Sequence, residues 1–387
     1  MAHGLTLTES TSGARSLATS SMAVIGIIAT ASAADGAATT ALDAAFPLDT
    51  PVLITNIAEA IGKAGTGGTL LPTLEAIADQ VTPVLVVVRV AEGEDDAETS
   101  TNVIGGNVGG VKTGLQALIA AKSVVNVRPR IIGAPGLDAA TVTAQLVIAA
   151  KRLRGRAYAR AIGEDDAAVI AYRQTFSARE LTLIWPNTSP DFVGDATARA
   201  LGLRAQIDET TGWHKTISNV AMDGVTALTR NIAFDLLDSS TEAGVLNDAD
   251  IVTIIREFGG FRFWGNTTCA GEDQSEYRFE SAVRTLHALQ DIVIEAFAPE
   301  FDKPMTVALV KDLLESCNTK FSELATSGWI MGAKVALAAT GNTSAELAAG
   351  RPKFALRFTP CAPFENPTVD FAITEEFYSD FASQVAA

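Results

Sequence analysis

The sequence predicts a mixed, largely parallel α/β domain followed by an α+β unit, with a strand-forming arm at each end. Three observations predict it. Strand-like and helix-like segments alternate between about residues 84 and 205. After residue 268 the pattern changes to two long helices and then two strands. Near both termini, short segments alternate strictly between apolar and polar residues. The expected boundaries are an N-terminal arm over 1–20, an α/β domain over 21–250 with a smaller part near 21–80, an α+β domain over 251–362, and a C-terminal arm over 363–387.

In the N-terminal segment, Leu5 and Leu7 alternate with threonines, a half-buried strand pattern without a nearby hairpin partner. Residues 16–34 carry no charge, and Ala31-Ser32-Ala33 mimics a signal-peptidase site. The flanking charges are poor for a leader and the apolar part is too short to span a bilayer, so neither reading is adopted.

Residues 83–90 are a continuous apolar run of the buried-strand type. A helix is expected near 112–122, a strand and its exit turn at 130–136, a helix near 139–153 and a strand near 156–162. A helix near 165–175 and a strand at 181–185 complete the series. Units of this length imply right-handed crossovers and a helix-covered sheet, with Val86, Val88, Ile131 and Leu183 in its core. Gly105-Gly-Asn-Val-Gly-Gly-Val-Lys-Thr113 approaches a phosphate loop, but Val111 intervenes between the second glycine pair and Lys112. Asp165 and Asp166 read as helix-capping acids, and His214 reads as a structural loop residue.

Residues 250–258 space their apolar side chains as a helix would, with Ile251, Ile254, Ile255 and Phe258 in phase. Gly259 and Gly260 then break it, and Phe261 and Phe263 fall on one face of a strand with Arg262 and Trp264 on the other. With Gly265, these residues form the expected domain junction.

Helices are then expected at 277–297, ended by Pro299, and at 305–326, opened by Pro304. Strands follow at 333–338 and 353–359, too few for a stable sheet by themselves. The C-terminal segment 366–374 alternates with Val369, Phe371 and Ile373 on one face. Unpaired strands at both ends invite pairing with other chains.

The formal charge of −16 opposes a nucleic-acid or anionic-membrane partner. Cys269, Cys317 and Cys361 are far apart and show no zinc spacing, which favours buried, inert thiols over the alternative of an inter-subunit disulfide. No metal and no cofactor are expected. The rival class is an α/β hydrolase or nucleotide-binding enzyme with an oligomerising C-terminal domain. No phosphate loop, Gly-x-Ser-x-Gly or His-Glu-x-x-His supports it.

Several motifs carry a family resemblance over nearly the whole length. They include His3-Gly4-x-Thr6, Pro51-Val-Leu-Ile-Thr55, Arg128-Pro-Arg-Ile-Ile-Gly-Ala-Pro-Gly136, Trp185-Pro186, Gly212-Trp-His-Lys215 and Gly260-Phe-Arg-Phe-Trp-Gly-Asn266. The chain resembles the tail sheath proteins of contractile-tailed phages and R-type pyocins. The family pattern has Arg where this chain has Thr267.

The resemblance implies hexameric rings stacked as a helix around a tail tube, and contraction that drives the tube through a cell envelope. It implies an outer α/β domain and an inner, tube-proximal α+β domain completed by exchanged arms. Leu5, Leu7, Val369, Phe371 and Ile373 would be the arm residues. Lys311 and Lys320 would be candidates to face the tube, although nine positions place them half a turn apart. Implied partners are other copies of the chain, the tube protein, and baseplate and tail terminator proteins, in a virion tail or bacteriocin particle assembled in the host cytoplasm.

Overall fold

Strand β1 (Ile25–Ser32) lies in the middle of the molecule. The computed structural model describes residues 21–34, 36–378 and 381–385, so Leu5 and Leu7 lie outside the described residues. Residues 25–32 of the uncharged stretch that mimics a leader are this central strand. Ile25, Ile27 and Ala29 are fully buried on one face, and Val24 and Ile28 join the cluster on the other. A strand buried on both faces needs no alternation, which is why it reads as a featureless apolar run. Gly26 is required by packing, because a Cβ there would sit 2.6 Å from Pro129 Cβ.

The other strands follow in chain order as β2 (Pro51–Ile54), β3 (Gly67–Gly68), β4 (Leu85–Val90), β5 (Asn107–Val108), β6 (Val111–Lys112), β7 (Ile131–Gly133), β8 (Arg156–Arg160) and β9 (Leu181–Ile184). Then come β10 (Ile251–Glu257) and β11 (Gly260–Trp264). They build a nine-stranded sheet of order β11-β10-β9-β8-β7-β1-β4-β2, with β3 paired to β1. The six strands from β10 to β4 pair in parallel, while β11, β2 and β3 pair antiparallel. Helices Leu70–Ala78 and Asp195–Thr210 cover one face. Helices Gly114–Ile119 and Ala140–Leu153 cover the other.

The glycine-rich segment is the β5–β6 hairpin, turned by Gly109 and Gly110 at positive φ. Val111 therefore starts a strand. Asp165 caps helix Asp166–Arg173 through the Ala168 N–H at 2.8 Å, as expected.

The helix expected at 250–258 is a strand. Ile251, Val252, Thr253, Ile254 and Ile255 are five consecutive β-branched residues, all buried, and Ile251 and Val252 pair in parallel with β9. Phe258 and Gly259 form the turn, at φ 52° and 83°. The helical spacing was a coincidence of an uninterrupted apolar run whose last member is an exposed turn residue. Phe263 is fully buried opposite Ile254, and Phe261 packs beside it. Trp264, on the other face, meets Phe234 with ring centroids 4.8 Å apart. The expected boundary at residue 251 shifts accordingly, because β10 and β11 belong to the large sheet and the architecture changes only after Trp264.

Beyond it lie helices Glu280–Phe297 and Val307–Thr326 and the antiparallel pair β12 (Ile330–Leu337) and β13 (Phe354–Pro360). Thr306 caps the second helix by accepting the Leu309 N–H at 3.1 Å, so Pro304, expected at its first turn, lies before the cap. Leu289, Ile292, Cys317, Phe321 and Ile330 form the core of this unit, together with Met22 and Trp213 from earlier in the chain.

Candidate assembly surfaces

Helix Glu280–Phe297 carries two stripes, and they join the two parts of the molecule. The apolar stripe, Leu289, Ile292 and Ala296, faces the C-terminal core. The polar stripe, Glu280, Arg284, His287 and Asp291, repeats at spacings of four, three and four and is buried against the sheet body. Glu280 pairs with Arg204 at 3.2 Å and Arg156 at 3.7 Å, and accepts the Tyr158 hydroxyl. Asp208 binds Arg204 at 2.8 Å and also Arg284, which donates to the Met22 carbonyl at 3.2 Å. Asp291 binds Arg130 and, at 2.8 Å, Arg154.

Arg156, Arg204 and Arg284 are each fully buried, which is tolerable only because each is paired. Burial by itself would raise the Glu280 carboxyl, but Arg204 and Arg156, with Tyr158 donating, outweigh it and hold it at about 2. Burial pushes His287 down to about 3, helped by Arg284 and Arg130, so its ring is neutral.

His287 gives a pH prediction with a definite sign. Its folded value lies below the ordinary 6.5, so the unfolded chain binds the proton first and stability falls as pH drops from 6.5 towards 3. Asp138, pushed up to about 6 by burial, acts oppositely but equally in both proteins of a comparison. Relative to His287→Gln, the natural protein should therefore lose about 2 kcal/mol between pH 7 and pH 5. Urea denaturation at the two pH values measures this, and parallel losses would refute it.

His214 packs on Trp329 with centroids 5.2 Å apart, and Trp213 meets Trp329 at 5.4 Å. That fits the structural role expected of it. Cys269 and Cys317 are buried free thiols raised to about 11 by burial, and Cys361 is half-buried.

β12 and β13 pair only with each other among the described residues. Their outer edges differ. The Asn318 side chain donates to the Val335 carbonyl at 3.0 Å and accepts the Val335 N–H at 2.9 Å, sealing the middle of the β12 edge. Val335 faces Leu356, so this is a pair without cross-strand bonds, and the Leu356 backbone points outward too. By the same alternation Phe354 and Phe358 present outward N–H and C=O groups, leaving the β13 edge open.

After β13 the chain crosses the start of helix Glu280–Phe297, where Arg278 holds Glu365 at 3.2 Å. Residues 361–374 carry no helix or strand. Val369, Phe371 and Ile373 are 66%, 96% and 106% exposed. On helix Val307–Thr326, Lys311 is exposed, whereas Lys320 is half-buried and bound to Glu323 at 3.1 Å. No group of three or more His, Cys, Asp or Glu among the described residues could hold a metal ion, and no described helix is long and apolar enough to cross a membrane.

The buried joint was missed from sequence, although its polar stripe has readable helical spacing. Its partners lie on helix Asp195–Thr210 and strand β8, just before β7 at Arg130, and at the end of helix Ala140–Leu153 at Arg154. Helix Asp195–Thr210 is buried all round yet contains Arg199, Arg204 and Asp208, so no apolar stripe marks it.

Residues 110–269 match the family described as phage tail sheath protein central domain, and residues 24–90 match tail sheath protein Gp18 domain III N-terminal region. The tail sheath protein of Escherichia phage P2 is 42% identical, covering 99% of this chain and 98% of its own length. The major tail sheath protein of Serratia phage KSP20 is 39% identical, covering 98% of each. Among solved structures, the contracted PVC sheath of an extracellular contractile injection system superposes with a TM-score of 0.70 at 14% identity, over 97% of this chain and 99% of that one. The contracted helical sheath of the anti-feeding prophage gives 0.68 at 15% identity, over 96% and 99%. At this identity and coverage, the chain belongs to the family of phage tail sheath proteins, which are structural subunits and not enzymes.

Proposed function

We propose that this chain forms a contractile tail sheath in which strands exchanged between copies are the joints. The observation that carries it is the open β13 edge beside an exposed, alternating C-terminal segment. Segment 366–374 of one copy adds to the incomplete sheet of another, as does the N-terminal segment bearing Leu5 and Leu7. The C-terminal unit is then the inner, tube-proximal domain, and the large sheet is the outer one. Rings of six stack as a helix around a tail tube, in a virion tail or a related particle assembled in the bacterial cytoplasm. On release at the baseplate, subunits move outward as rigid bodies and drive the tube forward. No cofactor is consumed, because the extended sheath is metastable. Lys311 is the better candidate to meet the tube, since Lys320 is engaged with Glu323.

Energetics support weak pairing in isolation. Each strand hydrogen bond contributes about 1 kcal/mol net. Ordering each residue costs about 1–2 kcal/mol. Buried Val369, Phe371 and Ile373 must add about 1.5–3 kcal/mol each. One joint is therefore marginal, and many together give cooperative assembly. Deleting residues 1–10 should leave a folded monomer that forms no sheath under the electron microscope, and long sheaths from the deleted chain would sink the proposal.

A further inference from the structure

A groove of about 920 Å³ lies between the sheet body and the C-terminal unit. It is polar and basic on one side and apolar on the other. Lys151, Arg154 and Arg179 line the first wall, and Phe354 and Leu356 line the second. His287 reaches it from the joint, 4% exposed, and its Nδ1 makes no hydrogen bond. Two acids temper the wall, since Glu180 bonds Arg179 at 3.2 Å and Asp291 bonds Arg154 at 2.8 Å. Lys151 has no such partner among the ion pairs of the described residues and stands exposed at the rim. A basic pocket with an apolar floor is unexpected on a chain whose formal charge is −16, and it selects an acidic ligand that also carries apolar side chains.

The chain itself contains such a ligand. Residues 358–387 hold Glu365, Asp370, Glu375, Glu376 and Asp380 and no lysine or arginine. Interleaved with those acids, Phe371 is 96% exposed, Tyr378 72% and Phe381 58%. Among the described residues of the single chain the two surfaces do not meet, since none beyond Leu356 lines the groove. Arg278 anchors Glu365, and everything described after it is exposed. We infer that the groove receives the acidic, aromatic end of the chain, about residues 370–385, from a neighbouring copy. This rests on the exchanged-arm reading and adds a second contact to it. The strand at 366–374 pairs on a sheet edge, and the acids beyond it neutralise Lys151 while an aromatic ring covers Phe354 and Leu356. Partner choice is then set by charge as well as by backbone pairing.

The test uses full-length chains lacking the half-buried thiol, with Cys361→Ser. One tagged copy carries Gln290→Cys in the groove, and an untagged copy carries Tyr378→Cys, beyond the strand segment. The two are co-assembled into sheath and mildly oxidised. The expected product contains both chains. Its yield should fall about tenfold when the groove copy also carries Lys151→Glu, a rim substitution that leaves the core untouched, and return when the other copy carries Glu375→Lys and Glu376→Lys. In a third chain carrying both Gln290→Cys and Tyr378→Cys, a disulfide that forms only within the chain, with no product joining two copies, would assign the groove to its own end and overturn the inference. So would sheath that forms without the cross-link or is indifferent to the charge swaps, which leaves the arm reading standing. Sheath assembly by a chain lacking residues 366–387 would overturn the arm reading itself.

Discussion

Glu280→Gln should cost about 3–5 kcal/mol of stability, the largest effect expected from any single side chain in the joint. The substitution keeps the volume but removes the carboxylate that faces Arg156, Arg204 and the Tyr158 hydroxyl. All three partners are fully buried, so none can turn to water. A buried guanidinium left with too little negative charge loses its compensation while retaining its desolvation cost. Denaturant midpoints of the two proteins measure the loss, and a difference under about 1 kcal/mol would show that the network can redistribute its charge. Adding Arg204→Met to the glutamine variant should recover part of the loss, since the uncompensated charge leaves with the arginine.

Truncation after Glu365 should abolish sheath while leaving monomer stability within about 0.5 kcal/mol of the natural chain. The separation follows from exposure. Val369, Phe371 and Ile373 cover nothing in the monomer, and residues 366–374 belong to no helix or strand. On the exchanged-arm proposal their apolar area is buried only against another copy. Sedimentation and electron microscopy of the truncated protein decide it: discrete folded monomers are expected, and stacked rings or tubes would refute the assignment. An unfolding midpoint that moves with the truncation would instead place the segment in the monomer's own core.

Much of the α/β series was legible because its strands and helices differ in length and punctuation. Leu85–Val90, Ala140–Leu153 and Leu181–Ile184 fall where their patterns put them. The failures share one cause. β1, β10 and helix Asp195–Thr210 are enclosed on nearly every side, and full enclosure erases the contrast that makes a period readable. In β10 the erased contrast left Ile251, Ile254, Ile255 and Phe258 to imitate a helix. In the C-terminal segment the alternation of Val369, Phe371 and Ile373 predicts a strand, and in the single chain the segment is exposed and belongs to no strand. The joint was not legible, because pairing Asp208 with Arg284 and Asp291 with Arg130 depends on contacts across 76 and 161 residues. Local spacing carries no trace of such partners.

The charged seam under helix Glu280–Phe297 has a mechanical corollary. Buried ion pairs are short-ranged and stiff, so a subunit clamped by three carboxylates and five guanidiniums offers little compliance between its halves. In a particle that shortens, strain migrates to the most pliable member. On the exchanged-arm proposal that member is the segment between β13 and Val369, residues 361–368, held to its own body at Glu365 by Arg278 and about 28 Å long when fully extended. If exchanged arms are the joints, the stroke is limited by the length of this segment, so lengthening or shortening residues 361–368 should retune the travel of each ring while leaving the folded bodies unchanged.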